Sequence, residues 1–252
     1  MLRNAFAYIT RKWPKSLLLF AIILLMGTLS LIGLSMKGAT QKASSESLGS
    51  ITNSFSMQIN RRTNPGTPRG AGNLRGEDIE KISQVEGITS SIKRINAIAD
   101  ILDHEIIETE ETLQNQSPER AKHFKNTLMV TGVNDSSKED KFVSGAYKLV
   151  QGDHLTDKDK NQILMHEDLA KKNGLKVGDK VRLKSNLYDA DNEKGANETV
   201  EVTIKGLFSG KNQAPLTYAQ ELYEDTLISD LDTAAKLYGN TVQTATYEDA
   251  TF

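Results

Sequence analysis

Residues able to do chemistry are thinly spread in this chain, which has four histidines and no cysteine in 252 residues. Gly206-Leu-Phe-Ser-Gly210-Lys211-Asn212 approaches a phosphate-binding loop. It has one residue too few between its glycines, and Asn212 stands where a serine or threonine would offer magnesium a hydroxyl. His104-Glu105-Ile-Ile-Glu108 and His166-Glu167 open like the helix of a zinc protease. Each lacks the second histidine one turn on, so a metal would lose a ligand from that face. Asp157-x-Asp159-x-Asn161, with Asp168 at the twelfth place, resembles a calcium loop but has Gln162 where the sharp turn needs glycine. Asp189-x-Asp191-x-Glu193 has its glycine one place late and Val200 at the twelfth. No Gly-x-Ser-x-Gly nucleophile elbow is present. The expectation is a chain with no catalytic residue, no cofactor and no metal.

What organises the chain is residues 16–36, an uncharged apolar run from Ser16 to Met36 bracketed by Lys15 and Lys37. As a helix it would be about 31 Å long, close to the hydrocarbon thickness of a bilayer. It has no polar face, unlike a core helix of a soluble domain. Arg3, Arg11, Lys12 and Lys15 precede it, and the first acidic residue is Glu46. Positive charge is retained on the cytoplasmic side, so the N-terminus is expected inside and residues 37–252 outside the plasma membrane. A cleaved signal peptide is the rival reading. The apolar run exceeds the usual 7–15 residues, and Ser35-Met36-Lys37-Gly38 is a poor cleavage site.

Ahead of the span, Leu2, Phe6, Ile9 and Trp13 would share one helical face, with Arg3, Asn4, Arg11 and Lys12 on the other. Two readings fit, a basic amphipathic helix on the inner leaflet and an unstructured flank that only sets topology. Pro14 suits either a break or the first turn of the spanning helix. Gly27, Ser30 and Gly33 form a strip of small residues within the span, a pattern also ordinary in membrane helices.

The chain carries 31 basic and 33 acidic residues, a net charge of −2. Setting aside the four basic residues before the span leaves 27 against 33 beyond it, too acidic for a nucleic-acid binder. A hydrophobic fraction of 38% suits one span carrying a polar outer domain rather than a bundle of spans.

Residues 37–50 read as a polar stalk and 51–60 as a strand. Residues 63–76, crowded with glycine and proline, read as a loop. Arg61, Arg62, Arg69 and Arg75 there could hold an anion, although arginines on loops are usually solvated. Helices are expected over 77–85, 167–173 and 231–238, and strands over 88–101 (where a helix also fits), 127–133, 162–165, 180–187, 199–208 and from 243 onward. Residues 103–125 are highly charged and show no period. Short helices and strands in alternation give an α+β outer domain.

From Gly152, the segment GDHLTDKDKNQILMHEDLAKKNGLKVGDKVRL resembles the extracytoplasmic core domain of MacB-type ABC transporter permeases. The matching features are the Gly-x-x-Leu-Thr entry, the helix ending at Gly174, and a hairpin turning at Gly178 and Asp179. LRGEDIEKISQVEGI (74–88) resembles the family's first helix, and VTIKGLF (202–208) one of its strands. ITRKWPKSLLLF, NSFSMQINRR and TGVNDSSKEDKFVSG are similar to Vex-type peptide-exporter permeases of Gram-positive bacteria.

The resemblance implies a porter-like lobe from 51–134 and 240–252, and a smaller inserted lobe over 135–239. Before these come the cytoplasmic segment 1–15, the span 16–36 and the stalk 37–50. Family permeases carry three further spans, so the chain is expected to be the N-terminal portion of a permease. The implied function is export of peptides or toxic compounds by mechanotransmission. The implied partners are the membrane, a second permease subunit in a homo- or heterodimer, and a separate ATP-binding subunit. The alternative is a single-span surface protein that binds or senses a ligand without transport.

A reporter fused after Phe252 is expected to be active outside the cell. Activity in the cytoplasm would reverse the orientation derived from the basic flank.

Overall fold

A computed structural model describes residues 13–15, 17–18, 20–30, 54–60, 62, 73–107, 117–211 and 222–252. The expected span ends at Ser16 and Met36, the basic residues Arg3, Arg11 and Lys12, the stalk 37–50, Glu108 and most of the arginine-rich loop lie outside the described residues. Two compact units are present, Met1–Ser54 and Phe55–Phe252.

In the first unit, helix α1 covers Trp13–Ser30, 18 residues with mean hydropathy 1.6 and none of them buried. It is about 27 Å long, enough to cross a membrane. Pro14 sits in its first turn, where a missing N–H costs no intrahelical bond. The Thr28 hydroxyl donates to the Leu25 carbonyl at 2.9 Å, which satisfies that polar group without water.

The second unit contains strands β1 (Ser56–Gln58), β2 (Leu74–Arg75), β3 (Ile92–Leu102), β4 (Thr127–Val133), β5 (Lys148–Gly152) and β6 (Gln162–His166). These are followed by β7 (Lys180–Ser185), β8 (Thr199–Ser209), β9 (Thr226–Asp230), β10 (Thr246–Tyr247) and β11 (Asp249–Thr251). Its helices are α2 (Gly76–Ser83), α3 (Pro118–His123), α4 (Asp140–Val143), α5 (Glu167–Lys172) and α6 (Leu231–Lys236), with a 3₁₀ turn at Ser136–Lys138. The mixture of elements is α+β, as the sequence implies.

Six strands close on themselves in the order β3-β4-β9-β6-β8-β7 and back to β3. The β4–β9 and β6–β8 pairs are parallel and the remainder antiparallel. β7 makes the closure, with Arg182–Ser185 against β3 and Lys180–Lys184 against β8. Beyond the ring, β11 pairs with the first residues of β3, β1 pairs with β11, and β5 pairs with the last residues of β8. β2 and β10 form a separate two-stranded ribbon.

Strand alternation points one set of side chains into the ring. Ile95, Ala97, Ala99 and Ile101 of β3 join Leu128 and Val130 of β4, Val181 and Leu183 of β7, and Val202 and Ile204 of β8 in one buried cluster. A second cluster of Val133, Leu155, Leu164, Phe208 and Ile228 around Tyr147 forms on the opposite strand faces, beneath Phe142 of α4. β6 and β9 contribute to both clusters and are therefore buried on both faces.

The proposed divisions at 134/135 and 239/240 do not divide the sheet. The ring draws β3 and β4 from one side of residue 134 and β6–β9 from the other, and 55–252 is one compact unit. Residues 54–60, the described part of the expected strand 51–60, and residues 243–252 also differ from single strands. Within 54–60 only Ser56–Gln58 is extended in a ladder, and the last segment is split at Glu248, whose N–H turns to the Arg94 carbonyl at 2.8 Å.

Helix α6 packs on β4 at Gly132, where a Cβ would lie 2.5 Å from Cβ of Ala234. Gly132→Ala is expected to destabilise the chain by about 1–3 kcal/mol through overpacking. Ala234→Gly in the same chain should recover part of the loss, read as non-additive melting temperatures. Strictly additive effects would show that the two residues do not limit helix docking.

Candidate functional site

The segment that carries the family resemblance runs from β6 through α5 into β7. His166, the last residue of β6, is buried and caps α5. Its Nδ1 accepts the Asp168 N–H at 3.1 Å, which places the ring proton on Nε2 to donate to the Gly210 carbonyl at 2.8 Å. Both ring nitrogens are thus engaged in holding a helix start against the end of β8. Glu167 and Asp168 in the first turn and Lys171 and Lys172 in the last complement the helix dipole.

Gly174, at φ +66°, ends this helix. Its N–H donates to the Lys171 carbonyl at 3.3 Å and that of Leu175 to Ala170 at 2.8 Å, the two bonds of a Schellman stop. A turn follows at once. The Asp179 N–H donates to the Lys176 carbonyl at 3.1 Å, and the Asp179 carboxylate accepts the Lys176 N–H at 3.0 Å. Gly178 occupies the third turn position at φ +93°, a conformation that favours glycine. Its N–H reaches the Ile204 carbonyl at 2.8 Å and the Ile204 N–H reaches the Asp179 carbonyl at 2.9 Å, so the turn is fixed to β8. The turn joins a helix to a strand. The expected hairpin is therefore a helix–turn–strand connection, and the antiparallel partner β8 follows only after the polar loop beyond β7.

The acidic runs are built into loops. One Asp159 carboxylate oxygen accepts the Thr156 N–H at 2.7 Å, the Thr156 hydroxyl at 2.9 Å and Lys205 Nζ at 2.6 Å. Burial alone would raise its pKa, but Lys205 and the two Thr156 donors outweigh that and hold the carboxyl below its ordinary range. Asp189 accepts the Asp191 N–H at 3.1 Å and the Tyr238 hydroxyl. Asn192 ties the same loop together through the carbonyls of Asn186 and Ala196 and the Ala196 N–H. Among the described residues, no three His, Cys, Asp or Glu side chains are grouped to hold a metal.

Gly206 is inside β8 rather than in a phosphate loop, opposite Gly152 of β5. A Cβ on Gly152 (φ +77°) would lie 2.1 Å from the Lys205 carbonyl oxygen and 2.7 Å from Gly206 Cα. These glycines serve a close strand crossing beside a β-bulge. His104 is in the bend after β3, where the following Glu105 N–H donates to Asn173 Oδ1 at 2.9 Å.

One pairing had no signal in the sequence, because its members are 18 residues apart in irregular segments. His154 Nδ1 is 2.9 Å from the hydroxyl oxygen of Ser136, which also accepts the Leu155 N–H at 2.9 Å. Ser136 is completely buried, so its oxygen is closed to any substrate. Burial lowers the His154 pKa, opposed by Asp135 and Asp153, and the ring packs edge-on to Phe142 with 4.9 Å between centroids. The pair pins the 3₁₀ turn to the segment after β5.

A cleft of about 670 Å³ opens where the parallel strands β4 and β9 end. Its walls are the segment before and at the start of β3 (Thr89, Ser90, Lys93), the end of β4 (Asn134), the turn at Thr156–Lys160 and the β9–α6 junction.

Gly178→Val has open space around the new Cβ, so its cost is the positive φ alone. The chain is expected to lose about 1–2 kcal/mol, seen as a lower melting temperature, with membrane insertion unchanged. Melting equal to the parent chain would show that residue 178 does not need positive φ.

Comparison with known proteins follows the geometry. The solved structures similar to this chain include the extracellular domain of the noncanonic ABC-type transporter YknZ from Gram-positive bacteria. That likeness has 14% identity, covers 79% of this chain and 80% of that one, and has a TM-score of 0.39. The periplasmic region of MacB from Actinobacillus actinomycetemcomitans is similar at 18% identity, over 79% of this chain and 73% of that one, with a TM-score of 0.43. No curated protein sequence matches. The MacB-like periplasmic core domain family matches residues 16–250, which take in most of α1 and nearly all of the second unit, and this chain belongs to that family.

Proposed function

We propose that this chain is a permease component of an ABC exporter that works by mechanotransmission. ATP is hydrolysed by a separate subunit on the inner side of the plasma membrane, and the resulting movement is passed to the unit outside. A second permease subunit completes the membrane assembly, and the exported substrates are peptides or toxic compounds. The observation carrying this reading is the family match, which spans the apolar helix and the outer unit together. The closed ring adds support, because a unit joined by ladders on all sides can be moved as one body.

The test is affinity purification of the tagged full chain from its native membrane, with an ATPase assay, alongside comparison of extracellular peptides with and without the gene. Co-purification of a P-loop ATPase and loss of particular peptides from the medium of the deletion strain are expected. A chain that purifies without ATPase activity, and whose deletion leaves the extracellular peptides unchanged, would sink the exporter reading. That result would favour a surface binding or sensing protein.

A further inference from the structure

We infer that His154 is an acid-released fastening for the cover over the second apolar cluster, holding that cover when neutral and loosening it when protonated. The inference rests on a line of contacts from a ring that reaches solvent to a hydroxyl that does not.

His154 is half-buried and Ser136 is completely buried. The Ser136 N–H donates to the Leu155 carbonyl at 3.1 Å, and the Leu155 N–H donates to Ser136 Oγ at 2.9 Å. That oxygen is 2.9 Å from Nδ1 of His154 and makes no other hydrogen bond among the described residues. With one proton already arriving from Leu155, the hydroxyl is fully used only if it donates its own to Nδ1. This arrangement requires the neutral ring, with its proton on Nε2. A proton on Nδ1 turns that acceptor into a donor aimed at the same oxygen. The hydroxyl hydrogen must then rotate away where no water reaches it, and a buried donor loses its partner.

The charged groups acting on the ring are two carboxylates, Asp135 ahead of the 3₁₀ turn and Asp153 after β5, and both favour the proton. Asp135 is already engaged with the Ser137 N–H and hydroxyl and with Lys138 at 3.4 Å. From α4 the ring meets Phe142. The neighbouring charges there face elsewhere, Glu139 and Asp140 toward Arg94 and Lys141 toward the Tyr147 hydroxyl at 3.1 Å. Burial outweighs the two carboxylates and lowers the His154 pKa. The folded chain therefore takes up this proton less readily than the unfolded chain. The contribution to stability is complete above about pH 6.5 and is lost as pH falls below it.

What is fastened follows from the chain. The 3₁₀ turn leads directly to α4, whose Phe142 packs on Tyr147 and Phe208 with ring centroids 5.5 and 5.9 Å apart. Leu155 lies in the same apolar cluster. Loosening Ser136 from Leu155 thus frees the cover on both of its sides, and the trigger is a ring that titrates within the range of natural surroundings.

The experiment compares the full chain in detergent at pH 7.5 and pH 5.5. Backbone hydrogen exchange, corrected for its intrinsic pH dependence, is read by mass spectrometry over residues 134–143 and 153–157. Exchange there is expected to rise at least about threefold at the lower pH relative to β8, and the rise is expected to vanish in His154→Gln, which does not titrate. Over the same interval the melting temperature should fall about 2–4 °C further in the parent chain than in His154→Gln. In Ser136→Ala the proton no longer costs a hydrogen bond, so the His154 ring, followed by nuclear magnetic resonance of histidine-labelled chain, should titrate at higher pH than in the parent. Equal corrected exchange at the two pH values in the parent chain, or the same pH dependence in the parent and in His154→Gln, overturns the inference. The exchange measurement on the parent chain needs no variant, so a variant that folds poorly leaves the test standing. Transport enters none of these readouts, and the exporter reading is tested separately.

Discussion

Strand β7 is hydrogen-bonded along both edges, and the rest of the second unit depends on that double pairing. Without it, β3 and β8 would be flanks of an open sheet with an exposed apolar face. With it, Ile101 lies across from Leu183 and Val181 across from Val202, inside a closed ring. Burying side chains of this size contributes about 1.5–3 kcal/mol each. The benefit requires correct register, because a slip of one residue would turn Val181 and Leu183 outward and bring Lys180 and Arg182 in. Register is set just before the strand, by the helix stop at Gly174 and by the turn at Gly178, which is hydrogen-bonded to Ile204 of β8 through the Gly178 N–H and the Asp179 carbonyl.

A second tie joins the ring to its additions. Arg94, near the start of β3, meets Asp249 of β11 on one side, and Asp140 at 3.3 Å and Glu139 at 3.8 Å on the other. Burial alone would lower its pKa, but the three carboxylates together raise it. Glu139 is itself buried and caps α4 by accepting the N–H groups of Lys141 and Phe142. One side chain thus links the outermost ladder to the cover over the second apolar cluster. Removing any one partner would leave charge buried with fewer neighbours, the costly way to break such a network.

Much of the element list was legible, and the reasons for the gaps are physical. Residues 127–133, 167–172, 180–185 and 199–209 carry clear alternation or helical stops, and the structure has elements there. The strand at Ile92–Leu102 was harder, because half its inward set is Ala97 and Ala99, which signal weakly, while Ile92 and Ile98 are on the other face. Strand β9 has all five residues buried and so no alternation to read, and β5 is an exposed edge with a bulge. Ring closure joins residues about 80 positions apart, beyond the reach of any local pattern. The cleft was hidden for the same reason. Its lysines and aspartates come from four separate segments, and only the acidic turn at 157–161 drew attention, as a poor calcium loop.

The first and last residues of the second unit are clasped together. Phe55 and Phe252 exchange backbone hydrogen bonds of 3.1 and 2.9 Å, and their rings stack 5.1 Å apart. β1 and β11 are antiparallel, so Phe55 and Phe252 sit at the same end of the pair. A load that moves the two ends in concert carries the unit as a whole and strains no hydrogen bond in the pair. A load that draws them apart acts like opening a zipper, loading the Phe55–Phe252 bonds first and the next rung only after those have parted. The clasp therefore distinguishes the direction of a pull, stiff toward shared displacement and yielding toward separation.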